Sequence, residues 1–367
     1  MEQAVVKTRL EDVQRIEIGS INTPLQYMKR LTDRLNKGKL YIKRDDMTGL
    51  AFGGNKTRKL DYIMKYALDN GYTTVLTYGG VQTNHGRMTI AAAAKCGLKS
   101  VLICYGDKPD YASGNLILDR MLGAEIVFMD VSEARKIAPG PEQNKAYVDT
   151  RIRCTETVIK KYEDAGEKVL IVPVGGHNSV GTVGYIHAVK EIMDQMKEQN
   201  IEAKYLVAGY GSTGTYAGLW LGAKYYNAPF EVIGVPMSTV PNPLEETAKF
   251  INQVSEEFNM GINCEVSDLR LEEGPEDDKY AGVGYNVPDE KTRECMYILA
   301  REEGIITDPC YTGKTFRGYY EMIKNNVIPE GENAIFLHTG GTPAVWTKEH
   351  LDQMQSELWN EEGITII

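Results

Sequence analysis

The sequence has no run of about 18 consecutive apolar residues, the length a helix needs to cross a bilayer. Nor is it basic: 41 Lys and Arg against 51 Asp and Glu leave a formal net charge of −10. Nucleic acid and anionic membranes both require a basic face, so neither is expected as the main partner, although one cationic cleft is compatible with this balance. Cysteine is sparse. Cys96, Cys104, Cys154, Cys264, Cys295 and Cys310 form no CxxC pair and have no histidines at zinc spacing, so neither a metal site nor a disulfide framework is expected. The N-terminal stretch MEQAVVKTRLEDVQRIEIGS is charged throughout and lacks a secretory apolar core. No internal repeat, low-complexity tract or Walker A motif is present. These absences lead to the expectation of a reduced, cytoplasmic, globular protein.

What is present is ordinary in bulk and specific in pattern. Apolar residues are 42% and charged residues 25% of the chain, typical of globular domains. A length of 367 residues exceeds what one core usually organises, so two domains are expected. Short apolar runs at 41–44, 73–78, 100–105, 125–129, 169–174, 205–208, 231–235 and 334–338 read as strands covered on both faces. Between them lie helical patterns. Leu60, Ile63, Met64, Ala67 and Leu68 form one stripe that Gly71 is placed to end, and 87–95 ends at Gly97 in the same way. The alternation predicts an α/β fold with parallel sheets and right-handed crossovers. Charge together with Pro139, Gly140 and Pro141 predicts a surface loop over 130–147.

Four motifs carry chemistry. Gly53-Gly54-Asn55-Lys56-Thr57-Arg58-Lys59 brings three cations to a helix start, where the macrodipole disfavours them unless an anion is held nearby. In Tyr78-Gly79-Gly80-Val81-Gln82-Thr83-Asn84-His85-Gly86-Arg87 a strand end runs into a helix start suited to a carboxylate. Capping by Thr83 or Asn84 would also explain part of it. Gly209 to Gly218 (GYGSTGTYAG) interleaves glycines with hydroxyls and can form a nest of N–H donors for a phosphate. Its G-x-G-x-x-G spacing also fits a dinucleotide fingerprint. The carboxylate that should end the next strand is missing, however, because Glu231 begins it. Finally Thr307 to Lys314 (TDPCYTGK) stands between Gly284-Tyr285 and His338 to Thr342 (HTGGT), with Tyr285 and Tyr311 available to stack or transfer protons and Cys310 beside them. A lysine, a phosphate nest, a carboxylate site and aromatic side chains are what a pyridoxal phosphate enzyme requires.

From Ile18 to Trp346 the chain resembles the D-cysteine desulfhydrase and 1-aminocyclopropane-1-carboxylate deaminase family, within the tryptophan synthase β-like (fold type II) pyridoxal phosphate enzymes. The motifs KRDDMTGLAFGGNKTRKL, GGVQTNHGR, GSTGTYAGL, DPCYTGK and HTGGTPA carry that resemblance in family order. It implies a large domain (1–60 plus 179–367), an inserted smaller α/β domain (61–178), a cleft site between them and a homodimer acting on a small amino acid. By position, Lys56 resembles the family's Schiff-base lysine. Gly211, Ser212, Thr213, Gly214 and Thr215 resemble the phosphate loop, with Lys59 as a second phosphate contact. Asn84 is expected at the cofactor's ring hydroxyl, and Thr83, Asn84 and His85 at the substrate carboxylate. Tyr311 is expected to stack near the ring and Tyr285 to lie beside the substrate. Cyclopropane-opening members read D-P-V-Y-E-G-K and L-G-G, with a glutamate favouring the protonated pyridine. Thr312 and Thr339 stand at those positions here. The resemblance therefore implies a weaker electron sink and favours β-elimination of a good leaving group over ring opening. Two departures bear on the substrate: Thr83 replaces the usual serine, and His177 follows Gly175-Gly176 where desulfhydrases have serine or alanine. His177 is read as facing the substrate side chain, or as a loop histidine bonded to backbone. D-Cysteine is the first expectation, with 1-aminocyclopropane-1-carboxylate, another 3-substituted alanine such as L-cysteate, a nicotinamide dehydrogenase, and a non-catalytic cofactor- or amino-acid-binding protein as alternatives.

Overall fold

Six of the eight apolar runs become inner strands of two sheets, while 125–129 and 169–174 become partly exposed edge strands of the smaller one. The computed structural model describes residues 8–238, 243–359 and 363–365. Its strands are β1 (Leu25–Tyr27), β2 (Leu40–Lys43), β3 (Thr74–Gly80), β4 (Lys99–Tyr105), β5 (Glu125–Phe128), β6 (Val169–Val172), β7 (Tyr205–Tyr210), β8 (Glu231–Pro236), β9 (Arg270–Leu271) and β10 (Ala334–Leu337). One sheet has the order β1-β2-β10-β7-β8-β9 and the other β5-β4-β3-β6. Only β1 against β2 is antiparallel; the other pairings are parallel. The fold is α/β, as the alternation predicts. The apolar pattern does not predict β1 or β9, which have three and two residues and bury few of them.

The stretch 130–147 departs from the expected loop. It contains the helix Ser132–Arg135 and the first turns of the helix Pro141–Asp164. Pro141 occupies the start of that helix, where a missing N–H removes no bond, so it begins the element rather than breaking it.

The helix Ser179–Gln199 lies against both the Lys56–Asp69 helix and the Gly214–Tyr225 helix. Glycine allows the close approach. A Cβ at Gly184 would fall 2.2 Å from the Arg58 carbonyl oxygen, and one at Gly218 would fall 2.6 Å from Tyr185 Cβ. Val183, Ile186, Val189, Leu219 and Leu221 belong to the buried core in which these helices pack.

Strand order fixes where a ligand can sit. β4 and β5 lie on one side of β3 and β6 on the other; β8 and β9 lie on one side of β7 and β10 on the other. Each reversal leaves a crevice at the carboxyl ends of the strands. Both crevices open into one cavity, lined by Gly79 and Gly80 of β3, Val174 and Gly175 after β6, Gly211, Ser212, Thr213 and Thr215 after β7, and Thr339 after β10. Among the described residues no helix is long and apolar enough to cross a membrane.

Candidate active site

The cavity is about 690 Å³ in volume and Lys56 projects from its wall. Gly53 and Gly54 lead into Lys56 at φ +70 and +135, and a Cβ on Gly54 would meet the Thr339 carbonyl oxygen at 3.0 Å. The Asn55 N–H donates to that oxygen at 3.1 Å, while Asn55 Nδ2 donates to Thr215 Oγ1 at 3.0 Å. Lys56 is thereby tied to the turns after β7 and β10. Among the described residues no Asp or Glu lines the cavity. Burial lowers the Lys56 amine from 10.5 to about 8.

One turn further along the helix, Lys59 is fully buried. Its Nζ donates to the Gly175 carbonyl at 3.1 Å and lies 3.0 Å from where a Gly214 Cβ would be. An ammonium has three donors. Burial, and then the charge on Lys56, push Lys59 well below the ordinary lysine range. Above it Ser212, Thr213 and Thr215 line the cavity at the start of the Gly214–Tyr225 helix, whose first N–H groups have no partners within the helix. Two buried amines without a carboxylate, under a helix N-terminus, make a site that an anion would complete by favouring their charged forms.

Thr83 caps the Asn84–Lys95 helix, its Oγ1 accepting the Gly86 N–H at 3.1 Å. Capping and cavity lining therefore coincide in one residue. Its methyl packs on two glycines: a Cβ at Gly79 or Gly86 would lie 2.5 or 2.4 Å from Thr83 Cγ2. Asn84 lines the cavity and its Oδ1 accepts from Arg87 Nη2 at 3.1 Å. Arg87, fully buried, also donates to Asn115 Oδ1 at 2.7 Å and to the Gly53 carbonyl at 3.3 Å. It thus links the Asn84 turn to the Lys56 turn. His85 lines the cavity, but its ring nitrogens meet hydroxyls: Nε2 lies 2.7 Å from Thr77 Oγ1 and Nδ1 3.4 Å from Thr89 Oγ1. Burial, then Lys56 and Lys59, push it well below the ordinary histidine range, so the ring brings no positive charge to a carboxylate.

Elsewhere on the wall Tyr285 and Tyr311 meet edge to face, with centroids 5.6 Å apart, planes at 72° and hydroxyls in contact. Gly80 makes room: a Cβ there would lie 3.3 Å from Tyr285 Cε1. Burial raises both phenols well above 10, which keeps them as O–H donors. Tyr311 precedes the helix Thr312–Lys324, whose start Asp308 caps. The Asp308 carboxylate accepts the N–H groups of Cys310 (2.9 Å), Tyr311 (2.7 Å) and Thr312 (2.8 Å).

Four expected residues lie off the cavity wall: Lys59, beneath the Gly211–Thr215 turn, and Thr312, Gly214 and His177. Thr312 is fully buried and does not line the cavity; its hydroxyl is 2.6 Å from Asp308 Oδ1 and 3.1 Å from the Gly340 carbonyl. Capping has claimed it. Gly214 stands behind the cavity wall, over Lys59. His177 lines a separate outer groove of about 580 Å³ behind the Gly211–Thr213 turn, not the main cavity. Its Nδ1 is 2.8 Å from Thr213 Oγ1 and the ring also has a hydrogen bond with the Ser212 backbone, which accords with the reading of a loop histidine. Cys310 is fully buried and also off the cavity wall. Sequence reasoning assigned no role to Asn55, Arg87, Asp308 or Asn286. Asp308 carried a signal, an acidic residue just before a helix start. Asn286 carried none, because a bend rather than a periodic element delivers it.

Comparison with known proteins agrees with this geometry. The profile of the family described as pyridoxal-phosphate dependent enzyme matches residues 16–340. The chain belongs to that family. Pyridoxal 5′-phosphate is the enzyme's cofactor, and the buried lysines, the helix N-terminus and the cavity fit it. The enzyme is 34% identical over 345 residues to D-cysteine desulfhydrase of Yersinia enterocolitica, covering 92% of this chain and 97% of that one. It is 33% identical over 346 residues to 1-aminocyclopropane-1-carboxylate deaminase of Rhizobium leguminosarum bv. viciae, covering 92% and 96%. A solved structure described as an ACC deaminase homologue superposes with a TM-score of 0.79 at 30% identity, over 95% of this chain and 98% of that one. The resemblance read from the motifs thus holds, and both branches of the family are represented.

Proposed function

We propose that the enzyme eliminates a neutral β-substituent from a small amino acid, with D-cysteine as the substrate and sulfide, pyruvate and ammonia as products. The observation that carries this reading is the cavity wall without a carboxylate among the described residues. The Asp308 carboxylate is spent on the helix start, and Thr312 and Thr339 stand where deaminases are expected to place other residues. Bound pyridoxal phosphate supplies a pyridine ring that withdraws the electron pair released at the substrate's α-carbon. Without an acid to hold that ring protonated the withdrawal is weaker, which suits a thiolate leaving group better than a cyclopropane carbon. Among the described residues Lys56 is the one lysine or arginine on the wall, its amine lowered to about 8, and burial with Lys56 and Lys59 pushes His85 well below the ordinary histidine range. A sulfonate side chain would therefore find no dedicated partner, which argues against L-cysteate.

In this reading Lys56 Nζ anchors the cofactor and takes the α-proton once released. The Gly211–Thr215 turn and Lys59 would hold the phosphate, Asn84 would be near the ring hydroxyl, and Thr83 with the N–H groups at its helix start would receive the substrate carboxylate. Tyr311 would lie near the ring, and the Tyr285–Tyr311 hydroxyl pair would hydrogen-bond the departing sulfur, which leaves as hydrosulfide. We take residues 1–60 with 179–367 as the large domain, 61–178 as the inserted one, and the active species as a homodimer. The test is product analysis with cofactor-loaded protein. Equal amounts of sulfide and pyruvate from D-cysteine are expected, with little from L-cysteine or L-cysteate. If 1-aminocyclopropane-1-carboxylate gave 2-oxobutanoate faster than D-cysteine gave pyruvate, the deaminase reading would replace this one. Bound cofactor with no turnover of any of these would point to a binding protein.

A further inference from the structure

Two turns meet behind the phosphate end of the cavity. Gly175 and Gly176 have φ of +72 and +61, and the Ser212 side chain fills the space over Gly175, where a Cβ would lie 1.8 Å from Ser212 Oγ. The next residue, Thr213, has φ +60 and ψ −41. Positive φ is sterically costly for a β-branched residue and persists only when its surroundings enforce it. From outside the turn His177 reaches Thr213, with Nδ1 2.8 Å from Thr213 Oγ1. The imidazole is itself held from its face by Phe250 of the helix Pro243–Glu257, with centroids 3.9 Å apart and planes at 34°. The Thr213 carbonyl then accepts the Ala217 N–H at 2.9 Å, which starts the Gly214–Tyr225 helix.

We propose that His177 is a positioning residue that holds Thr213 at positive φ and so keeps the Gly211–Thr215 turn preformed for the cofactor's phosphate. The inference rests on reading that turn as the phosphate cradle. Were Thr213 released to negative φ, the peptide units on either side would rotate and the turn's N–H groups would lose their common focus. Burial, then Lys59, hold the imidazole down to about 4, so the clamp works as a neutral hydrogen bond at any usable pH.

The test compares equilibrium binding of pyridoxal phosphate and of pyridoxal, which lacks the phosphate, to full-length protein freed of cofactor. His177→Ala is expected to weaken pyridoxal phosphate binding about tenfold, or about 1.4 kcal/mol, within the cost of one strained residue. Pyridoxal binding should not change, and the ³¹P resonance of the bound phosphate should shift. His177→Asn, which keeps a hydrogen-bonding nitrogen at that position, should recover most of the loss. In a Thr213→Gly background, where positive φ is free of steric cost, His177→Ala should weaken binding no further. Unchanged pyridoxal phosphate affinity in His177→Ala would overturn the proposal. So would an equal loss for both ligands with a lowered melting temperature, which would mean His177 only supports the fold. If wild-type protein bound the two ligands equally, the cradle reading itself would fall and take the proposal with it.

Discussion

Burial moves the Lys56 amine to about 8, so at slightly alkaline pH about half of it is uncharged and able to attack an aldehyde. The folded state disfavours the protonated form, and the sign follows. The rate of pyridoxal phosphate capture by cofactor-free protein should rise as pH passes through about 8 and then level off. With an ordinary lysine it would keep rising toward 10.5. Stopped-flow absorbance across pH 6–10 reads this directly, and a rate that climbed steadily to pH 10 would contradict the burial argument. Lys56→Ala should lower turnover at least about a thousandfold. Residue identities at this scale were largely legible: Lys56, Thr83, Asn84, Tyr285, Tyr311 and Thr339 all line the cavity. Thr312 departs from its expected place because its hydroxyl turns back onto Asp308, and His177 meets Thr213, distant in sequence, which spacing does not report.

At the scale of elements, helix starts carry the site. Thr83 caps the helix that begins with Asn84 and His85, and Asp308 caps the helix that follows Tyr311. The bend that bears Tyr285 and Asn286 has no regular structure of its own, and two side chains from helices fasten it. Lys314, fully buried, donates at 2.6 Å to both the Ala281 and Gly284 carbonyls. His350 Nε2 is 3.1 Å from Asn286 Oδ1. Lys314→Met should therefore loosen this bend while sparing the sheets. Each charged hydrogen bond is worth about 1.5–3 kcal/mol, so amides 282–286 should exchange with solvent faster. KM for the amino acid should rise more than kcat falls, and hydrogen exchange alongside steady-state kinetics checks both. The lysine was legible as part of DPCYTGK; its partners were not, since they are carbonyls some thirty residues upstream.

Across the whole molecule, one buried ionic cluster joins β2, the Lys56 helix and the Ser179–Gln199 helix. Asp45 accepts Arg58 Nε and Nη2, both at 2.8 Å, and the Tyr185 hydroxyl at 2.6 Å. Arg58 also donates to Glu191 at 2.8 and 3.0 Å, and Lys43 meets Glu191 from the other side. Burial alone would raise the Asp45 carboxyl, but Arg58 and Lys43 hold it down to about 2. A depressed carboxyl contributes stability that is complete above its unfolded value near 4 and lost as pH falls toward 2. Acid unfolding monitored by circular dichroism should show that loss between about pH 4 and 2. Asp45→Ala, leaving Arg58 partly unpaired, should destabilise the protein by about 3 kcal/mol at neutral pH and remove most of this acid dependence.

Local chemistry determined much by itself. Apolar runs covered on both faces specify parallel strands, because a strand buried on both sides must be apolar throughout. Glycine-rich turns at their ends mark where backbone and ligand come close. The tertiary structure decided which turns face one another. Reversals of strand order bring the ends of β3, β6, β7 and β10 to one cavity, and no local pattern encodes which strand a distant segment pairs with. It also decided which polar groups were spent internally, such as His177 on Thr213. A hydrogen bond depends on distance in space, which only the closed chain sets.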